Sequence, residues 1–182
     1  MIELLRHPHA PCREVHSVTV NVTRTQEGKL ALHYAIHGRI AALSIPAPGP
    51  ARVGWKLWRH TCCELFVREK GVPAYHEFNF SPSGEWAAYA FTKYREGATL
   101  ADQDLNPQVA VQPSAARLDL YALVDLARVS PTYAGARLTL GLAVIIEEAI
   151  GGLSYWALTH SSDKPDFHHA GAFALELDAV RD

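Results

Sequence analysis

Apolar residues recur along this chain with a period of two rather than 3.6, the signature of strands that turn one face toward a core. Val18, Val20 and Val22 alternate with Ser17, Thr19 and Asn21. After a turn at Gln26, Glu27 and Gly28, Leu30, Leu32, Tyr34 and Ile36 alternate with Ala31, His33, Ala35 and His37. The two runs predict a hairpin, with His33 and His37 pointing away from the apolar face. A short run over Ile40 to Ile45 follows. The stretch Pro46 to Gly54, with three prolines and two glycines, predicts a mobile loop, because it supports neither a ladder nor a helix.

Beyond it, Trp55 to Val67 reads as one long strand. Ala74 to Phe80 reads as the next, with Tyr75, Glu77 and Asn79 on one face. The turn Ser81 to Glu85 leads into a strand from Trp86 to Tyr94, which puts Trp86 and Ala88 on one side and Tyr89, Phe91 and Lys93 on the other. Further runs lie at Gln108 to Gln112, Arg117 to Leu126, Arg137 to Ile146, Ser154 to Thr159 and Ala172 to Leu177. Helical signals are confined to Tyr121 to Val129 and Glu147 to Ile150. The expectation is an all-β chain: an antiparallel β-sandwich, immunoglobulin-like or jelly-roll-like, of about ten to eleven strands with one or two short helical turns.

At 182 residues, 48% of them hydrophobic and 20% charged, the chain has the length and composition of a single domain over residues 1–182. Seventeen basic against nineteen acidic residues leave no positive surplus for nucleic acid or an anionic membrane. The longest apolar stretch, Leu138 to Ile146, is too short to span a bilayer. No charged-then-apolar leader opens the sequence, which predicts a cytoplasmic protein. Cys12, Cys62 and Cys63 are odd in number, and an adjacent pair on a strand faces opposite ways, so reduced cysteines are expected.

Four segments carry polar and aromatic residues of interest. In Trp58 to Phe66, Glu64 is embedded among apolar residues; buried there, its carboxyl needs a partner or takes a raised pKa, so it is either paired with an arginine or accepting backbone hydrogen bonds, or else ligand-contacting or catalytic. Tyr75 to Trp86 brings Glu77, Asn79 and Trp86 near a hairpin end. Ser154 to Phe167 places Trp156 and His160 on one strand face ahead of a charged loop with Asp163, Lys164 and Asp166, and His168 and His169 follow at once. Ten histidines are many for this length, yet no H-E-x-x-H or C-x-x-C spacing is present, so solvated or hydrogen-bonded histidines are expected rather than a metal site. No nucleophile elbow or glycine-rich phosphate loop occurs. Glu64 and Glu77 are the one carboxylate pair suited to acid–base work on a glycosidic bond.

These same segments, LWRHTCCELFV (Leu57 to Val67), AYHEFNFSPSGEWAAYAFTKYREG (Ala74 to Gly97) and ALTHSSDKPDFHHAGAFALEL (Ala157 to Leu177), resemble the DOMON-like proteins, relatives of the family 9 carbohydrate-binding modules. The resemblance is to a bacterial branch of stand-alone domains. It implies a β-sandwich that holds a small ligand, a sugar or haem, in a surface cleft. Haem members ligate iron through Met and His, and the single methionine here is Met1, outside every matching segment, so no cofactor is expected. Sugar-binding members clamp the ring between aromatic faces and bond its hydroxyls with charged or amide groups.

The expected function is therefore non-catalytic binding of a small molecule, a saccharide or sugar-like metabolite. The candidate contacts are Trp58, Glu64, Glu77, Asn79, Trp86, Trp156, His160, Lys164, Asp166 and His168. The alternatives are an enzyme acting on a sugar-like substrate through Glu64, Glu77 and His160, and a protein-interaction module presenting Asp163 to His169 and the Pro46 to Gly54 loop. The oligomeric state is open.

Overall fold

A computed structural model of the chain describes residues 1–100 and 103–179. Thirteen strands join into one continuous sheet that folds over on itself. The first layer runs from β1 (Ile2–Arg6) through β2 (Val15–Arg24), β3 (Lys29–Gly38) and β10 (Arg117–Asp125) to β9 (Gln108–Pro113). The second runs from β12 (Leu153–Ala157) through β11 (Leu138–Glu147), β5 (Cys62–Glu69) and β6 (Tyr75–Phe80) to β7 (Glu85–Lys93). There β4 (Arg52–Val53) and β8 (Glu96–Leu100) both pair with β7, and β13 (Leu175–Leu177) pairs with β11. β1 belongs to both layers: Ile2, Glu3 and Leu4 pair with β2, and Leu5 and Arg6 pair with β12.

The alternation expected of half-buried strands sets the core. Val18 and Val20 of β2, Tyr34 and Ile36 of β3, and Leu118 and Leu120 of β10 face Cys63 and Leu65 of β5, Phe78 and Phe80 of β6, and Leu140 and Leu142 of β11. The Tyr34 hydroxyl crosses between layers and donates to the Glu64 carbonyl at 2.9 Å, satisfying a buried polar group. Strands β5 and β11 are buried on both faces, because the outer face of the second layer is covered in its turn; this is why they read as unbroken apolar runs.

Several expectations are corrected. The sheet is mixed, not purely antiparallel, since β4 runs parallel to β7. Ile40 to Ile45 is not a strand: Ile40–Ala42 forms a 3-10 turn, and Leu43 makes a single bridge to Glu148. The expected long strand begins at Cys62, because Lys56 takes a left-handed conformation (φ 54°) and Leu57–Arg59 turns after it. The proline-rich stretch is tied to the sheet through β4, with Gly49 N–H donating to Ser83 O at 2.8 Å and Gly54 N–H to Trp86 O at 2.7 Å. Among the described residues helix is limited to one α-turn, Leu126–Val129, capped by the Asp125 carboxylate, and five 3-10 turns. Among the described residues no helix is long and apolar enough to cross a membrane.

Candidate functional site

The strand parity that sends Cys63, Leu65, Phe78 and Phe80 inward sends their neighbours to the outer face of the second layer. Cys62, Glu64 and Phe66 emerge from β5, Tyr75, Glu77 and Asn79 from β6, and Tyr89 and Phe91 from β7. Glu64 lies directly opposite Asn79, and Glu77 directly opposite Tyr89. From the other side come Ile145 of β11 and Tyr155 of β12, which are paired across their strands.

Two pieces of irregular chain cover this face. The Leu57–Arg59 turn lays Leu57 on Cys62, Ala87 and Tyr89, and residues 158–174 pack Phe167 and Phe173 onto Phe66 and Tyr75. Gly141 permits the close approach of the second piece: a Cβ there would lie 3.2 Å from the Ala172 carbonyl oxygen and 3.2 Å from Phe66 Cβ. Between the two covers a cleft of about 330 Å³ remains, lined by Trp58, Glu64, Glu77, Tyr89, Phe91, Arg95, Ile145, Tyr155, Pro165, Phe167 and His168. That volume falls within the small-ligand range, and the walls are mostly aromatic.

The polar groups of the cleft are unusual in their pairing. Glu64 is 3% exposed, and among the described residues nothing donates a hydrogen bond to its carboxyl. Burial, with the field of Glu77 added, pushes its pKa far up, against a smaller opposing pull from Arg95. Glu77 accepts from Asn79 Nδ2 at 2.8 Å on one oxygen. Burial raises its carboxyl to about 7, although the Asn79 bond and Arg95 act the other way.

His168 Nε2 stands 3.6 Å from the other Glu77 oxygen. Burial and then Arg95 lower the imidazole to about 4, so near neutral pH the ring is uncharged and the contact is not an ion pair. The Tyr75 hydroxyl accepts from Arg95 N–H at 3.1 Å and meets His168 Nδ1 at 2.8 Å. With that hydroxyl donating, the imidazole proton is assigned to Nε2, toward Glu77.

Asp166 organises the rim. It accepts from the Arg95 guanidinium at 2.9 Å and from the Tyr94 hydroxyl at 2.7 Å, and it also takes the His168 N–H at 3.2 Å. Burial alone would raise this carboxyl, but the bonds from Tyr94 and Arg95 prevail and hold it below the ordinary range. Among the described residues the buried Tyr89 hydroxyl, by contrast, makes no close hydrogen bond, and the Lys56 backbone N–H is the donor that approaches it.

Of the ten sequence candidates, the structure brings Trp58, Glu64, Glu77 and His168 to the cleft. Asn79 sits behind Glu77 and Asp166 behind Arg95 and His168, so both hold lining residues in place. The other four are corrected. Trp86 pairs with Phe80 and points into the inter-layer core at 2% exposure. Trp156 pairs with Val144 in the same core, its indole N–H donating to Ser154 Oγ at 3.1 Å. β12 ends at Ala157, so His160 is not on the Trp156 strand face; its Nε2 donates to the Leu5 carbonyl at 2.8 Å, and its ring meets His7 edge-on. Lys164 is exposed on the covering segment and does not line the cleft. Among the described residues no three His, Cys, Asp or Glu side chains are grouped to hold a metal ion.

The sequence reading missed Tyr89, Phe91, Arg95, Ile145, Tyr155, Pro165 and Phe167. A signal for Tyr89 existed: the tight turn at 81–85 pairs Phe80 with Trp86, and counting back from that pair sets Glu77 opposite Tyr89.

Neither a protein-family model nor a curated protein matches the chain. Two solved structures are similar in fold. A candidate carbohydrate-binding protein from Bacteroides uniformis superposes with a TM-score of 0.67 at 14% identity, over 93% of this chain and 82% of that one. A family 9 carbohydrate-binding module from Caldicellulosiruptor kristjanssonii, in complex with glucose, gives a TM-score of 0.49 at 11% identity, over 86% and 74%. At 14% identity the first likeness is one of fold.

Proposed function

We propose that this chain is a non-catalytic binding domain that takes a saccharide or sugar-like metabolite in the cleft on its second layer. The observation that carries the reading is a cleft with aromatic walls, Trp58 and Tyr155 among them, into which an unpartnered buried carboxyl opens. A sugar presents apolar C–H faces and a rim of hydroxyls, so it needs that mixture of ring faces and a few placed acceptors. The fold it shares with a candidate carbohydrate-binding protein supports the reading, as does the resemblance of Leu57 to Val67 and Ala74 to Gly97 to the DOMON-like proteins.

Calorimetric titration of the whole chain with mono- and disaccharides tests it. A saturable heat is expected with at least one sugar, weakened about tenfold or more in Trp58→Ala. No heat from any sugar, or a Trp58→Ala variant that binds like the parent, refutes the assignment. A second reading, hydrolysis, has one observation behind it: two buried carboxyls with raised pKa on adjacent strands. His160 drops out of it, since its ring lies on the Leu5 carbonyl. Turnover of an aryl glycoside that is abolished in Glu64→Gln would replace binding with catalysis.

A further inference from the structure

The cleft holds two carboxyls and one cationic side chain, and burial keeps both carboxyls protonated well above their ordinary range, so what enters decides whether they ionise. Glu64 enters from β5 and Glu77 from β6, diagonal neighbours on one sheet face. Arg95, from the β7–β8 turn, is the cationic side chain of the lining, and its guanidinium already donates to Asp166 at 2.9 Å. His168, from the covering segment, is uncharged near neutral pH. Tyr89 of β7, Tyr155 of β12 and the buried Cys62 thiol of β5 bring no positive charge. A neutral sugar would leave both carboxyls holding their protons, and an acidic sugar would add a further group that is costly to bury ionised; a cation would instead stabilise their ionised form.

We propose that the ligand is an amino sugar, whose primary ammonium seats between the Glu64 and Glu77 carboxyls while its ring lies against the aromatic walls. This rests on the saccharide reading above and narrows it. Among the described residues three acceptors in the lining are short of donors: nothing donates to the Glu64 carboxyl, which is 3% exposed, the Glu77 oxygen not bonded to Asn79 has only His168 Nε2 at 3.6 Å, and the Tyr89 hydroxyl makes no close hydrogen bond. An ammonium has three N–H donors and no acceptor, so it matches that set where a hydroxyl, with one donor, cannot. The aromatic rings favour the same charge, because their faces attract a cation.

The test is calorimetric titration of the whole chain at about pH 6.5, where a primary amine is protonated. Glucosamine, galactosamine and mannosamine are each set against the parent hexose and the N-acetyl derivative. At least one amino sugar is expected to bind about tenfold more tightly than both counterparts, and the preference is expected to shrink to within about twofold in Glu64→Gln. That variant is also expected to melt at or above the parent temperature, because glutamine keeps the shape of the protonated carboxyl and cannot ionise in the buried site; if it does not fold, Glu77→Gln carries the same binding readout. Hexoses that bind as tightly as their amino forms overturn the inference and leave the saccharide reading standing. A preference that survives Glu64→Gln overturns the ammonium seat. No binding by any of the nine sugars overturns the inference, and no heat from the disaccharides as well overturns the saccharide reading.

Discussion

Replacing Glu77 with glutamine should remove a specific pH-dependent loss of stability. In the unfolded chain this carboxyl titrates near its ordinary 4.5, and in the folded protein burial holds the proton until about 7. Below the lower value both states are protonated and the group costs nothing. As pH rises the unfolded chain ionises first, so the folded state binds more protons and stability falls until the folded carboxyl also ionises. At about 1.4 kcal/mol per pH unit, the span from 4.5 to about 7 amounts to about 3 kcal/mol, most of it lost between about pH 5 and pH 8. For a chain of this length that is roughly 5–10 °C of melting temperature.

The raw profile will not show this alone, because His76, His160 and His168 are lowered by burial and act with the opposite sign. Those histidines are present in both proteins. Urea denaturation of the parent and Glu77→Gln at several pH values therefore leaves in the difference the Glu77 carboxyl and its effect on Glu64. Near pH 5 the two should be close, and near pH 8 the variant should be the more stable by about 2–3 kcal/mol. Glu64, raised partly by Glu77, shifts the same way. A difference that stays flat within about 0.5 kcal/mol across the range would show that Glu77 ionises normally and that the cleft is far wetter than described.

Two further outcomes follow from the packing. Trp86→Ala should cost about 3–5 kcal/mol in urea denaturation, as an emptied core position does, while the folded variant keeps the parent's sugar affinity; a loss of affinity without a loss of stability would put Trp86 back in the site. In the native protein a thiol reagent should titrate Cys12 alone, and all three cysteines in denaturant, because Cys62 and Cys63 are buried and burial raises their thiols. Rapid native reaction of a second thiol would refute that burial.

The strand pattern was legible because one-sided burial imposes a period of two, and β2, β3, β6, β7, β10 and β11 follow it or its fully apolar variant. β1, β4 and β8 were not, since they are short and either exposed or defined only by their partners. Glu64 and Glu77 stood out as carboxylates within apolar strands. The tryptophans misled, because a large ring is equally at home in a core and in a ligand wall. Parity decides between the two: Trp86 and Trp156 sit one residue out of phase with the cleft, and Tyr155, the neighbour of Trp156, faces it. The contributions of Pro165 and Phe167 depend on how an irregular segment lies over the sheet, which no periodicity encodes.

Strand β1 has a consequence for how the protein avoids self-association while it folds. Its five residues cap β2 in one layer and β12 in the other, and the pairing of Leu5 with Ala157 closes a loop of about 150 residues. A contact of that span forms late, after the local hairpins. Until it does, the first layer ends at β1, already paired with β2, and the second at β12, and each of these edges is open to a strand of another molecule. Making that contact removes two such edges and leaves the sheet ends at β4 and β9, and weakening it would show first as loss of soluble protein on refolding.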